Sequence, residues 1–172
     1  MKIVSLLINE DVARAERKFE QATADNIVDL CREYLVVLFE YRSRLSNLPQ
    51  IPEVNFAEQS SLGRTLAEQS RMAVTAAIGV TETAEKLVET LLKSFTEVSS
   101  SDAVETFNRL GYNGLSDWKL DGSSVRAGGP SGGSMTDSDA IETAKRLRRE
   151  AYVEQRIPFL RSSDTDTAGA PA

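Results

Sequence analysis

Six carboxylates stand at helical spacing: Glu82, Glu85 and Glu89 at i, i+3 and i+7, and Asp25, Asp29 and Glu33 at intervals of four. Rows of acids on facing helices can hold Mg²⁺ and support hydrolysis of a phosphoanhydride without histidine. The neighbouring cations point to a different use of the same charge. Lys86 follows Glu82 by four, Lys93 follows Glu89 by four and Arg44 follows Glu40 by four, the spacing of a solvated, salt-bridged helix face. No paired-glutamate metal motif stands beside the acids, so they are assigned to the surface, with no catalytic residue, cofactor or metal.

A second chemical candidate is basic. Lys145, Arg146, Leu147, Arg148 and Arg149 form a cluster that could contact phosphate or an acidic lipid. Glu142, Glu150 and Glu154 surround it, which fits an amphipathic docking helix with a mixed-charge outer face. With 20 Lys and Arg against 26 Asp and Glu, the net charge is −6, which argues against nucleic-acid binding by the chain as a whole. Histidine is absent, which excludes His-dependent triads, phosphorelays and carboxylate–His di-metal bundles. One cysteine, Cys31, allows no intramolecular disulfide and no structural zinc site, and on an apolar seam it acts as a small hydrophobe. The glycine run lacks the Lys-Ser/Thr of a phosphate loop.

The elements that carry these residues are read from apolar periodicity. Ile27, Cys31, Tyr34, Leu38, Tyr41, Leu45 and Leu48 recur at alternating steps of four and three, a heptad seam. Asn9 is a fitting N-cap, so the first helix is expected over about 10–47, weakest at Thr23–Asn26 because Thr, Asp and Asn compete with the backbone. Pro49 and Pro52 end it. Asn55, with Glu58 three residues on, restarts a helix that is expected to reach about Val98. Its seam runs through Leu62, Leu66, Ala73, Ala77, Val80, Ala84, Leu87, Leu91, Phe95 and Val98. The small stretch Ala73–Val80 is expected to face the bulky Tyr34–Tyr41, with Gly79 kept for packing. Met1–Ile8 reads as a helix or an extended arm.

Ser101–Thr106 (SDAVET) nearly recurs as Ser138–Thr143 (SDAIET), and convergent capping explains the echo better than a repeat. The first copy opens a short helix to about Leu110, closed by Gly111. Tyr112, Leu115, Trp118 and Leu120 are expected to form a lid on the bundle. Asp121–Ser134 has the composition of a flexible linker, and GGPSGGS before Met135 also fits a fusion junction. A helix from about Asp139 to Gln155, stopped by Pro158, turns Ile141, Ala144, Leu147, Ala151 and Tyr152 inward, with Phe159 and Leu160 as further anchors.

The expected class is all-α: a long antiparallel helical hairpin with a short third helix and a tethered amphipathic helix. The boundaries are 1–120 for the helical domain, 121–134 for the linker, 135–160 for the docking helix and 161–172 for a disordered tail. The apolar stretches are too short to cross a membrane, so a soluble cytoplasmic protein is expected. Two helices leave apolar faces uncovered, so a homodimer or hetero-oligomer with another helical subunit follows. The expected function is a non-enzymatic interaction subunit or adaptor, with Ile27, Tyr34, Leu38, Tyr41, Leu45, Leu87, Leu91, Ile141, Leu147 and Tyr152 as contact residues. The alternatives are a metal-dependent helical-bundle enzyme of the nucleotide pyrophosphatase kind, or a regulator docking to membrane or nucleic acid through its basic helix.

Overall fold

The computed structural model describes residues 9–48, 61–129 and 132–163. The expectations for the first eight residues, for Pro49–Glu58 and for the last nine residues lie outside this range, as do the side chains of Leu62, Leu66, Phe159 and Leu160. Among the described residues the chain forms five α-helices and a three-stranded antiparallel sheet, so the all-α expectation holds for the helical bulk and is corrected by the sheet. Two compact units result. One comprises residues 1–21 and 29–90, the other 22–28 and 91–172.

In the first unit, α1 (Glu10–Glu20) starts at Asn9, whose side chain accepts from the Asp11 N–H at 2.9 Å. The single helix expected from residue 10 to 47 is broken after Glu20, and α2 spans Ile27–Ser46. The break falls at the weak stretch, where the Asn26 side chain accepts from the Thr23 N–H at 2.8 Å and the Thr23 carbonyl takes up the Ile27 N–H. Side chains thus satisfy backbone groups that would otherwise carry the helix on. Lys18–Glu33 at 3.2 Å and Arg44–Asp11 at 3.9 Å set α1 antiparallel to α2. The heptad seam of α2 is buried from Ile27 through Cys31, Tyr34, Leu38, Tyr41 and Leu45.

The helix α3 spans Ser61–Thr96, about 54 Å at ~1.5 Å per residue. Its buried line runs through Thr81, Val88 and Phe95 at heptad spacing, whereas Val80 and Leu87 of the expected seam point outward. Phe95 and Val98 of the expected seam are buried, and the exchange of Val80 for Thr81 has a local cause. The Thr81 hydroxyl donates to the Ala77 carbonyl at 2.8 Å, so this polar side chain can be buried at little cost. Arg42 reaches Glu85 at 2.8 Å and Glu82 at 3.9 Å. The start of α2, through Val28, belongs to the same unit as residues 91 onward. Arg42, next after the Tyr34–Tyr41 stretch, thus meets α3 at Glu82 and Glu85, beyond the small stretch Ala73–Val80. Gly79 is exposed, with open space where a Cβ would stand, so packing does not account for it.

In the second unit, α4 (Ser100–Leu110) opens on a capping box between Ser99 and Asp102 and closes on Gly111 at φ +66°. A 3₁₀ turn, Tyr112–Gly114, leads to β1 (Trp118–Asp121), β2 (Ser124–Ala127) and β3 (Ser134–Thr136). The sheet order is β1-β2-β3, with Asp121 opposite Ser124 and Val125 opposite Met135. The stretch read as a flexible linker thus contributes β2 and the start of β3. Gly122, at φ +64°, permits the two-residue turn between β1 and β2.

The helix α5 runs Asp137–Ser163 and continues through Pro158, where a stop was expected. Proline there removes one hydrogen bond of the ladder without ending it. Its start repeats that of α4: Thr136 accepts from the Asp139 N–H at 3.2 Å and donates to the Asp139 carboxylate at 2.7 Å. Each echoed segment therefore begins two residues after a hydroxyl cap, Ser99 or Thr136, and supplies the acid three residues beyond that cap and then a fully buried alanine, Ala103 or Ala140. Capping and close approach of α4 to α5 account for the echo.

Candidate functional site

Aromatics make up only 6% of the chain, yet three of them meet in the second unit. Phe107 stacks on Tyr112 at 4.8 Å and meets Trp118 edge-on at 5.1 Å. Asn108 holds Trp118 by its backbone, accepting from the N–H at 2.8 Å and donating to the carbonyl at 3.0 Å. Val125, Ala127, Ala140 and Ala144 close this core, with Ile141, Leu147 and Leu115 packed at its edge. The lid expected from Tyr112, Leu115, Trp118 and Leu120 is thus a core built on the sheet, and Leu120 points outward.

The basic cluster on α5 divides. Lys145 pairs with Glu142 at 2.7 Å and Arg146 with Glu150 at 3.7 Å. Arg148 turns inward and donates to the Thr106 hydroxyl at 2.8 Å, the Ser94 carbonyl at 3.1 Å and the Asp102 carbonyl at 3.3 Å. One side chain thereby ties the end of α3 and the start of α4 to α5. The Arg149 Nε is buried with no hydrogen-bond partner among the described residues. The four cations of the cluster thus have different surroundings, two paired with carboxylates and two turned inward.

Beside Arg148 lies a cleft of about 560 Å³, within the range of small-molecule sites. Leu91, Phe95, Ala151 and Tyr152 provide its apolar lining, and Glu105, Arg109 and Gln155 its polar rim. Tyr152 meets Phe95 edge-on at 5.6 Å, and Arg156 lies over the Tyr152 ring. No local signal in the sequence marks this cleft, because its lining comes from three helices.

The acids of the metal reading are dispersed. Asp25 precedes α2, so it does not share a helix with Asp29 and Glu33. Asp29 pairs with Arg32 at 3.0 Å and Glu33 with Lys18. Glu82 and Glu85 converge on Arg42, whose guanidinium is held in its charged form by the hydrogen bond and charge of Glu85. Among the described residues no group of three or more Asp, Glu, Cys or His is placed to hold a metal ion. Burial pushes the Tyr34 hydroxyl above its ordinary range, with Glu16 and Glu20 adding to the effect, and burial does the same to Tyr41.

Of the ten contact residues expected from sequence, Ile27, Tyr34, Leu38, Tyr41 and Leu45 are buried within the chain. Leu91 and Tyr152 line the cleft, and Ile141 and Leu147 pack on the aromatic core. Leu87 stands outward at 63% exposure, joined on α3 by Val80 at 71% and Met72 at 66%. Val36 and Phe39 of α2 are also more than half exposed. Among the described residues no helix is long and apolar enough to cross a membrane. No protein-family model matches this chain, and no curated protein or solved structure matches it.

Proposed function

We propose that this chain is a non-enzymatic interaction subunit that assembles by helix packing, with a second copy of the chain or another apolar helix as its partner. The observation that supports this reading is the outward line of α3. Val80 and Leu87 are separated by one heptad and Met72 precedes Val80 by eight, so the three lie along one side of the helix. That side is distinct from the buried line through Thr81 and Val88, so α3 carries one apolar face for its own unit and a second that is open. Large apolar side chains exposed in a row on a helix mark an association surface more often than isolated ones do. The seam expected to bind a partner, Ile27 to Leu45, is consumed in the chain's own core, which moves the interaction to the outer face.

Light-scattering mass across a concentration series tests the self-assembly form. The wild-type chain is expected to show a dimer mass. The double variant Val80→Asp, Leu87→Asp is expected to show a single-chain mass with unchanged helix content by circular dichroism. A wild-type chain that stays a monomer at about 100 μM, where weak associations of about 10 μM dissociation constant are already occupied, would defeat self-assembly.

A further inference from the structure

We infer that the cleft between the end of α3, α4 and α5 binds a small organic anion with an apolar body, such as an aryl or short aliphatic carboxylate, sulfonate or phosphate ester. This goes beyond the association surface on α3 and uses none of its residues. Three observations lead to it. The first is charge. In a chain of net charge −6, the cleft brings together Arg109 and Arg148 against one acid, Glu105, and Arg156 lies over a ring of its wall.

The second is the state of those cations. Arg148 meets neutral oxygens through its three hydrogen bonds, whereas Lys145 and Arg146 of the same basic run pair with carboxylates. Arg109 stands four residues after Glu105 on α4, the usual spacing for an ion pair. Among the described residues neither Arg109 nor Arg148 has a carboxylate within ion-pair distance. Arg148 is fixed in place by neutral acceptors, and Arg109 lines the cleft as an exposed residue. Nε, Nη1 and Nη2 of Arg148 are all engaged by these acceptors, so the fork available to an anionic group in two parallel hydrogen bonds is that of Arg109, with Arg148 adding its charge.

The third is the apolar wall. Phe95 and Tyr152 meet edge-on beside Leu91 and Ala151, a surface suited to an aromatic or short aliphatic body. The volume of about 560 Å³ admits such a ligand. Arginines and apolar side chains lining one cleft are complementary to an amphipathic anion and to neither a bare ion nor a neutral hydrocarbon.

The probe is 8-anilino-1-naphthalenesulfonate, titrated into the full chain and followed by its fluorescence and by backbone amide shifts. Its neutral counterpart, N-phenyl-1-naphthylamine, serves as the comparison. The expected result is one sulfonate per chain, with shifts centred on Phe95, Thr106 and Tyr152. The neutral compound should bind about tenfold more weakly, and Arg109→Gln should weaken the sulfonate by about tenfold while leaving the fold intact. Ala151→Trp, which fills the wall, should abolish binding. Equal affinity for the two compounds, no effect of Arg109→Gln, or shifts centred on Val80 and Leu87 would each overturn the inference.

Discussion

Arg148 of α5 and Thr106 of α4 share one hydrogen bond of 2.8 Å, and the same hydroxyl donates onward to the Asp102 carbonyl at 2.7 Å. Thr106 is 1% exposed, so its oxygen depends on this pair for satisfaction. The guanidinium also holds the Ser94 carbonyl at the end of α3. Three helices therefore meet through a single side chain whose planar fork reaches all of them.

Replacing Arg148 by Ala is expected to lower unfolding stability by about 2–3 kcal/mol, read by chemical denaturation, because hydrogen bonds from a charged donor are lost together. Arg148→Lys should recover less than half of that, since one ammonium cannot span three acceptors. A Lys variant as stable as the wild type would show that charge alone matters there.

The capping box at Ser99 gives a pH signature. Hydrogen bonds from the Ser99 hydroxyl and backbone N–H hold the Asp102 carboxyl below the usual carboxylate range, with the Arg148 charge adding to the effect. A carboxyl whose folded pKa is depressed contributes stability above its unfolded pKa, and that contribution is lost as pH falls through the folded value. Melting temperature should therefore decline below about pH 4 in the wild type. The decline should be shallower in Asp102→Asn. Ser99→Ala should cost about 1 kcal/mol at neutral pH.

Two glycines are expected to respond in opposite directions to the same methyl group. Gly79→Ala, in an exposed helix interior with open space, should raise stability by about 1 kcal/mol. At Gly132 an added Cβ would overlap the Ala127 carbonyl oxygen, a backbone atom that cannot step aside without moving β2. Gly132→Ala should destabilise by about 1–3 kcal/mol, the range for overpacking. Thermal melts of both variants check the pair.

Leu38 and Leu87 were equivalent by apolar pattern and are opposite by burial. Leu38, at 2% exposure, should lose about 2–5 kcal/mol on truncation to Ala. Leu87→Ala should change stability by no more than about 0.5 kcal/mol and act on association instead. Denaturation midpoints separate the two roles.

These contrasts show where sequence carries structural information. Asn9, Gly111 and the seam from Ile27 to Leu45 were legible because caps and heptads act over a few residues. The middle of α3 was not, since apolar pattern favours Val80 over Thr81 until the Thr81 hydroxyl finds the Ala77 carbonyl. The sheet was hidden by its brevity. Its strands are three or four residues long and rich in Ser, Arg and Gly. The one readable sign was Gly122-Ser123, a hairpin turn pair between the alternations Trp118/Leu120 and Val125/Ala127. The candidate cleft left no local trace, because Phe95, Arg109 and Tyr152 come together only when three helices pack.

The short segment between Ala127 and Ser134 also sets a competition. Because β3 is hydrogen-bonded to β2 and leads directly into α5, the last helix is presented to its own unit at an effective concentration on the order of millimolar. A free peptide with the sequence of α5 would have to exceed that value to displace it. A single cut in the segment would remove the advantage, turning a permanent part of the fold into a subunit that exchanges with the surrounding solution.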